Sequence, residues 1–229
     1  MVTEKFRMDI VAVGTDNGSD TYEIRRKWGD KGKKSLIIEL YPTLTVDKCQ
    51  NMDISTLHLL NHAGEMGWSE VRIVNLYSTV FSAKPSASQL TDNDTNLSYI
   101  EMILEEEGIK DYDIVIAWGN TLLTHTKTIH AKTDLLYMMK EKGLINQVKC
   151  IVTEHMESYG VHPLYLGLRH SNERWKLKKY PVEKVLSELE ANTKKPEKNA
   201  EPKKSSKGNA KNTGKEKKGA DKDVPQNHE

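Results

Sequence analysis

Cysteine and long apolar runs are scarce in this sequence. The only cysteines are Cys49 and Cys150, and neither belongs to a CxxC pair. A disulfide framework and a cysteine zinc site are therefore excluded within the chain, and a reducing cytoplasm is the expected location. The N-terminus, MVTEKFRMDIVAVG, has no apolar signal-peptide core, and no stretch approaches the roughly 18 apolar residues that span a bilayer. We expect a soluble protein that is neither secreted nor embedded in a membrane.

Glycine-rich phosphate motifs and metal motifs are also lacking. The chain has no GxGxxG and no GxSxG. The segment Gly32-Lys33-Lys34-Ser35 resembles the end of a P-loop, but it precedes a predicted strand, whereas a P-loop follows one. His58 and His62 are spaced like two zinc ligands, yet Leu59 occupies the position where a zinc protease carries glutamate. We therefore expect no metal and no cofactor.

Charge is unevenly distributed along the 229 residues. From Asn192 onward there are 11 Lys against six Asp or Glu, which leaves 23 basic and 27 acidic residues before that point. Residues 1–190 are predicted to form a single α/β domain, and residues 191–229 a disordered, lysine-rich tail with almost no apolar side chains. A basic tail on a slightly acidic body suits a polyanionic partner such as DNA.

Apolar periodicity predicts the order of strands and helices. The first forty residues read as three strands separated by turn-rich segments, which indicates an N-terminal β meander. Beyond them, helices alternate with short, nearly continuous apolar runs such as Ile114-Val115-Ile116-Ala117. This pattern predicts a three-layer α/β fold with a mostly parallel central sheet flanked by helices.

Polar and aromatic residues follow the predicted strands, where ligands of open parallel sheets bind. The candidate substrate-binding residues are Tyr41, Pro42, Asn75, Tyr77, Trp118, Gly119 and Asn120, and the candidate catalytic residues are Asp47, Asp53 and His162. We expect these loops to converge on one crevice.

Each candidate also has a purely structural interpretation. Asp53 or Ser55 suits the N-cap of the following helix, and Asn75 suits a turn. Trp118 suits core packing as well as a stacking platform. His162 suits an ordinary loop histidine as well as proton chemistry.

Six segments resemble a bacterial and phage family that is catalogued as a domain of unknown function. Their order and spacing match over roughly residues 20 to 168: Tyr41-Pro42-Thr43-Leu44, Asp53-Ile54-Ser55, Gly67-Trp68, Asn75-Leu76-Tyr77, Ala117-Trp118-Gly119 and His162-Pro163-Leu164-Tyr165. The first segment departs from the family pattern, because Tyr41 stands where the family has asparagine and Leu44 replaces a small polar residue.

The same loops resemble those of the uracil-DNA glycosylase superfamily, although its Gly-Gln-Asp-Pro-Tyr-His motif is absent. That resemblance implies a uracil-DNA-glycosylase-like fold. It also implies that Asp47 or Asp53 positions water, that Asn75 reads the base, and that His162 acts on the leaving base or a phosphate.

The leading hypothesis is a DNA glycosylase that excises a modified base, and the resemblance places it in defence against phage DNA. Aromatic residues such as Tyr41, Tyr77 and Trp118 suit a pocket for a flipped base. Two alternatives remain open: a non-catalytic module that binds nucleotides or nucleic acid, and a hydrolase or transferase of free nucleotides.

Overall fold

The computed structural model describes residues 1–91 and 94–193, and its strands and helices follow the predicted order over most of that span. The described residues contain seven strands: β1 (Asp9–Gly14), β2 (Thr21–Lys27), β3 (Lys33–Glu39), β4 (Trp68–Asn75), β5 (Tyr112–Ile116), β6 (Val148–Val152) and β7 (Lys176–Lys179). They also contain five α-helices: α1 (Ile54–His62), α2 (Asp94–Leu104), α3 (Thr126–Glu141), α4 (Pro163–Arg169) and α5 (Val182–Thr193). The predicted tail lies outside the described residues, apart from the end of α5.

The strands form one mixed sheet in the order β1-β2-β4-β3-β5-β6-β7. The pairs β3–β4, β3–β5 and β5–β6 are parallel, and the pairs β1–β2, β2–β4 and β6–β7 are antiparallel. A mostly parallel sheet was therefore too strong a prediction, since only the central strands are parallel.

The predicted N-terminal meander is wrong at its third strand. β2 pairs with β4, and β3 lies between β4 and β5. The reason is the apolar run Leu36-Ile37-Ile38, in which every side chain is fully buried. A strand buried on both faces belongs in the middle of a sheet, not beside a solvated hairpin.

Alternate side chains of β3 contribute to two separate cores. Leu36 and Ile38 pack with residues from α2, α3 and α5, whereas Ile37 packs with residues from α1 and α4. None of the helices in the described part of the chain is both long and apolar enough to cross a membrane.

The order of the parallel strands across the sheet reverses at β3. From β3 the chain passes to β4 on one side, and the later strand β5 lies on the other side. The carboxyl ends of β3 and β5 therefore flank a topological switch point, the position at which open α/β sheets bind their ligands.

Two elements escaped sequence reasoning. β7 has the sequence Lys-Leu-Lys-Lys, which shows little apolar character, and it lies at the sheet edge where lysines protect against further pairing. The short helix α4 starts at Pro163, directly after His162, and its first turn brings that histidine to the switch point.

Candidate functional site

A crevice of about 460 Å³ opens at the carboxyl ends of β3 and β5. Five of the predicted site residues line it, namely Tyr41, Asp53, Trp118, Gly119 and His162. Half of its other lining residues are apolar, with Leu40, Leu90 and Leu122 among them. The crevice thus combines apolar walls with several polar groups, as small-molecule sites commonly do.

Hydrogen bonds hold the loop that follows β3 against neighbouring strands. The backbone N–H of Tyr77 donates to the carbonyl of Leu40 at 3.0 Å, and the N–H of Phe81 donates to the carbonyl of Pro42 at 3.0 Å. The hydroxyl of Thr21 donates to the carbonyl of Leu44 at 2.8 Å. This loop is therefore a fixed wall of the site.

Asp53 is the N-cap of α1, as the sequence allowed. Its Oδ1 accepts the backbone N–H of Thr56 at 2.8 Å, and its Oδ2 accepts the hydroxyl of Thr43. These bonds fix the carboxylate at the crevice wall, and each oxygen keeps a further lone pair for a ligand or a water.

Glu39, the last residue of β3, was missed by sequence reasoning. It is 5% exposed and lines the crevice together with Asp53. Burial, and then the charge of Asp53, raise the pKa of Glu39 to about 8. Glu39 is therefore mostly a neutral carboxylic acid near pH 7. The available signal was an acidic residue within the apolar run that ends in Leu40.

His162 is half-buried at the N-terminus of α4. Its Nδ1 accepts the backbone N–H of Leu164 at 3.2 Å, so the neutral ring carries its proton on Nε2. Burial lowers the pKa of His162 to about 4, although the charge of Asp53 acts in the opposite direction. At neutral pH the residue is an uncharged imidazole with one N–H to donate.

Trp118 forms part of the crevice floor. It is only 3% exposed and packs edge-on against Tyr180, with ring centroids 6.3 Å apart. Behind it, the Nζ of Lys132 lies 5.4 Å from the ring centroid, and burial lowers the pKa of Lys132 to about 8. The more accessible aromatic residue is Tyr41, which packs edge-on against Phe81.

The loop after β5 has an unusual backbone. Gly119 has a φ of 76°, and a Cβ at this position would lie 3.4 Å from the Cβ of His162. Among the described residues that are not glycine, Leu122 alone has a positive φ, at 58°. Strained backbone of this kind concentrates at functional sites.

A second, smaller cavity of about 20 Å³ adjoins the crevice. Glu39, Thr43 and Asp53 line both spaces. Pro42 and Asn75 line the smaller cavity, and Asn75 is 4% exposed. Asn75, the predicted base reader, is therefore not among the residues that line the crevice.

Three other predicted residues do not line the crevice. Asp47 is exposed in a short 3₁₀ turn beside a separate surface depression formed with the β1–β2 turn. Tyr77 is 1% exposed, and its hydroxyl lies 2.8 Å from that of Thr128. Asn120 is exposed on the loop beside Gly160. Proximity in sequence to a strand end did not determine which way these side chains point.

The histidine pair on α1 has structural contacts. The ring of His62 stacks on Trp175 with centroids 4.2 Å apart, and its Nδ1 lies 3.0 Å from Glu65. His58 packs against Gly167, where any Cβ would lie about 2.0 Å from the imidazole. Within residues 1–91 and 94–193 there is no cluster of three or more His, Cys, Asp or Glu side chains that could hold a metal.

The chain matches a family model. No curated protein and no solved structure matches the chain. One family model, described as a protein of unknown function (DUF1643), matches residues 21–164, which include Glu39, Asp53, Asn75, Trp118 and His162. Since that match covers more than half of the 229 residues, the chain belongs to the DUF1643 family.

Proposed function

We propose that this protein hydrolyses an N-glycosidic bond and excises a base from DNA. The observation that carries the proposal is the pairing of a neutral acid, Glu39, with the carboxylate of Asp53 in one crevice that also contains His162. A protonated acid paired with a second carboxyl group is the usual equipment for glycoside hydrolysis.

Asp53 has the chemistry to stabilise the sugar. Breaking an N-glycosidic bond passes through an oxocarbenium-like state, and a fixed carboxylate lowers the energy of that positive charge. The bonds from Thr56 and Thr43 hold the Asp53 carboxylate in place before the reaction, so little reorganisation is needed.

Glu39 and His162 suit the departing base. The leaving base gains electron density on its ring, and a neutral carboxylic acid can donate a proton to it. The Nε2–H of the neutral His162 supplies a hydrogen bond to the same developing charge.

The size and lining of the crevice suit a base with its sugar. A volume of about 460 Å³ lies within the usual range for small-ligand sites. Tyr41 and the leucine side chains offer apolar contact to a flipped base, and the exposed Lys84 at the rim offers a positive charge to a phosphate. A modified base is favoured over plain uracil, because Tyr41 and Leu44 depart from the family pattern.

The charge of the C-terminal segment supports DNA as the substrate. The lysine-rich segment from Asn192 onward offers salt-sensitive attraction to phosphates.

We also propose a three-layer arrangement like that of uracil-DNA glycosylase, which is supported by the separate cores that helices form with the two sets of β3 side chains.

One observation favours a second candidate, a module that binds a nucleotide without cleaving it. Both oxygens of Asp53 already accept hydrogen bonds within the protein, as expected of a carboxylate whose role is to cap a helix.

The test is to incubate the full chain with plain and base-modified phage DNA and to measure abasic sites. The proposed activity produces abasic sites on at least one modified DNA. Binding without abasic sites on any substrate would eliminate the glycosylase proposal and leave the binding module.

A further inference from the structure

The small cavity beside the crevice contains an unusual set of unpaired polar groups. Glu39, Asn75 and Arg26 line it, and each side chain is at least 95% buried. Oε1 of Glu39, Oδ1 of Asn75, and Nε and Nη1 of Arg26 are buried without a hydrogen-bond partner in the described residues. Buried polar atoms are normally paired, so this combination indicates an occupant.

Hydrogen bonds within the protein hold Arg26 and the backbone of Asn75 in place. Nη2 of Arg26 donates to the carbonyls of Cys49 and Asn51, both at 2.8 Å. The backbone carbonyl of Asn75 accepts the Nδ2–H of Asn96 at 3.0 Å. These bonds fix the guanidinium of Arg26 and the backbone of Asn75 at the cavity wall.

The chemistry of the cavity selects a neutral occupant with both donors and acceptors. Arg26 offers N–H donors, the oxygens of Glu39 and Asn75 offer acceptors, and the opposite charges of Arg26 and Asp53 in the same wall favour neither a cation nor an anion. Water accepts from arginine and donates to two oxygens, and a cavity of about 20 Å³ exceeds the roughly 10–15 Å³ that one water requires.

We propose that this cavity holds one ordered water, bound by Arg26, Asn75 and Glu39, and that this water attacks the sugar. The second part rests on the proposed N-glycosidic hydrolysis. Asn75 then acts as a positioning residue for the nucleophile and does not read the base. Glu39, Thr43 and Asp53 line both spaces, so the water site lies directly beside the crevice.

The step balances with the groups present. The water oxygen forms a bond to the anomeric carbon of the sugar while the carbon–nitrogen bond breaks, and the bonding electron pair leaves with the base. Asp53 accepts the proton that the water loses, and Glu39 donates its proton to the base. The products are the free base and an abasic sugar with a hydroxyl group, and a proton passing from Asp53 to Glu39 restores the starting state.

A high-resolution crystal structure of the unaltered full chain tests the water site. We expect density for one water about 2.7–3.2 Å from the Asn75 amide and the Arg26 guanidinium. An empty cavity, or an ion in it, would overturn the proposal. Since no substitution is involved, this test does not depend on a variant that folds.

Kinetics test the role of the water in the reaction. Asn75→Leu should lower kcat for base release by roughly 100-fold or more and change KM by less than about threefold. Asn146→Leu is the matched control, because Asn146 is exposed on the loop before β6 and does not line the crevice or the cavity. It should leave both constants unchanged. A raised KM with an unchanged kcat would contradict the water-positioning role and indicate that Asn75 binds the base.

The two proposals fail in different ways. If the unaltered protein releases no base from any DNA, the proposed hydrolysis fails, and the nucleophilic role of the water fails with it. If base release occurs and the cavity is dry, the hydrolysis stands and the water site is wrong.

Discussion

Asp53 and Glu39 share the walls of one crevice, and the charge of Asp53 adds to burial in raising the pKa of Glu39 to about 8. This coupling links the protonation of Glu39 to the position of Asp53. It also makes the stability of the protein depend on pH in a direction opposite to that of an ordinary salt-bridged carboxylate.

The first prediction concerns this stability. An unfolded Glu39 releases its proton near pH 4.5, whereas the folded residue keeps it until about pH 8. The unfolded state therefore binds fewer protons across this window, and the Glu39 contribution to the unfolding free energy falls as pH rises from about 4.5 to about 8. Relative to that of the unaltered protein, the unfolding free energy of Glu39→Gln should therefore increase by up to about 1.4 kcal/mol for each pH unit in that window. Urea unfolding measures this difference. Glu107→Gln, on an exposed residue outside the crevice, is the matched control.

The second prediction concerns the pH dependence of base release. The proposed mechanism needs Glu39 protonated, so kcat/KM should fall above about pH 8 as Glu39 ionises. The pKa of His162 is lowered to about 4, so protonation of His162 should not reduce kcat/KM near neutral pH. An upper limb that persists unchanged in Glu39→Gln would show that another group supplies the proton.

A third prediction tests the close approach of Gly119 to His162. Gly119→Ala puts a side chain at a φ of 76° and 3.4 Å from the His162 Cβ, so it should destabilise the fold by about 1–3 kcal/mol. Gly64→Ala, where no atom lies within 4 Å of the new Cβ, should be tolerated. Thermal unfolding compares the two variants, and equal midpoints would contradict a tight packing requirement at Gly119.

Local sequence patterns predicted much of the central sheet and part of the site. The run Ile114-Val115-Ile116 identified β5, and the polar residue before α1 identified the Asp53 cap. Strand order was harder, because pairing depends on contacts between distant segments, and β3 was placed beside β2 instead of between β4 and β5. Side-chain direction was harder still: Tyr77 points into the core, whereas Glu39, hidden inside an apolar run, faces the crevice.

The fourth prediction concerns the lysine-rich segment. Replacing its 11 lysines by glutamine in the full chain changes the formal charge of that segment from +5 to −6. DNA binding should weaken most at low salt, and the dependence of affinity on salt should become shallower. The midpoint of thermal unfolding serves as the control and should not move. Equal affinity at every salt concentration would contradict a role of this segment in binding DNA.

Asp53→Asn gives the most direct test of the proposed chemistry. Asparagine caps a helix about as well as aspartate, so the variant should fold normally while losing the charge that stabilises the sugar cation. Asp47→Asn is the matched control, because Asp47 is exposed and lines a different depression.

The deciding measurement is the rate of abasic-site formation on base-modified DNA by the unaltered protein, Asp53→Asn and Asp47→Asn. Base excision through Asp53 requires roughly a 100-fold to 1,000-fold loss in Asp53→Asn and an unchanged rate in Asp47→Asn. Equal rates in all three proteins, or no abasic sites with any of them, would contradict it.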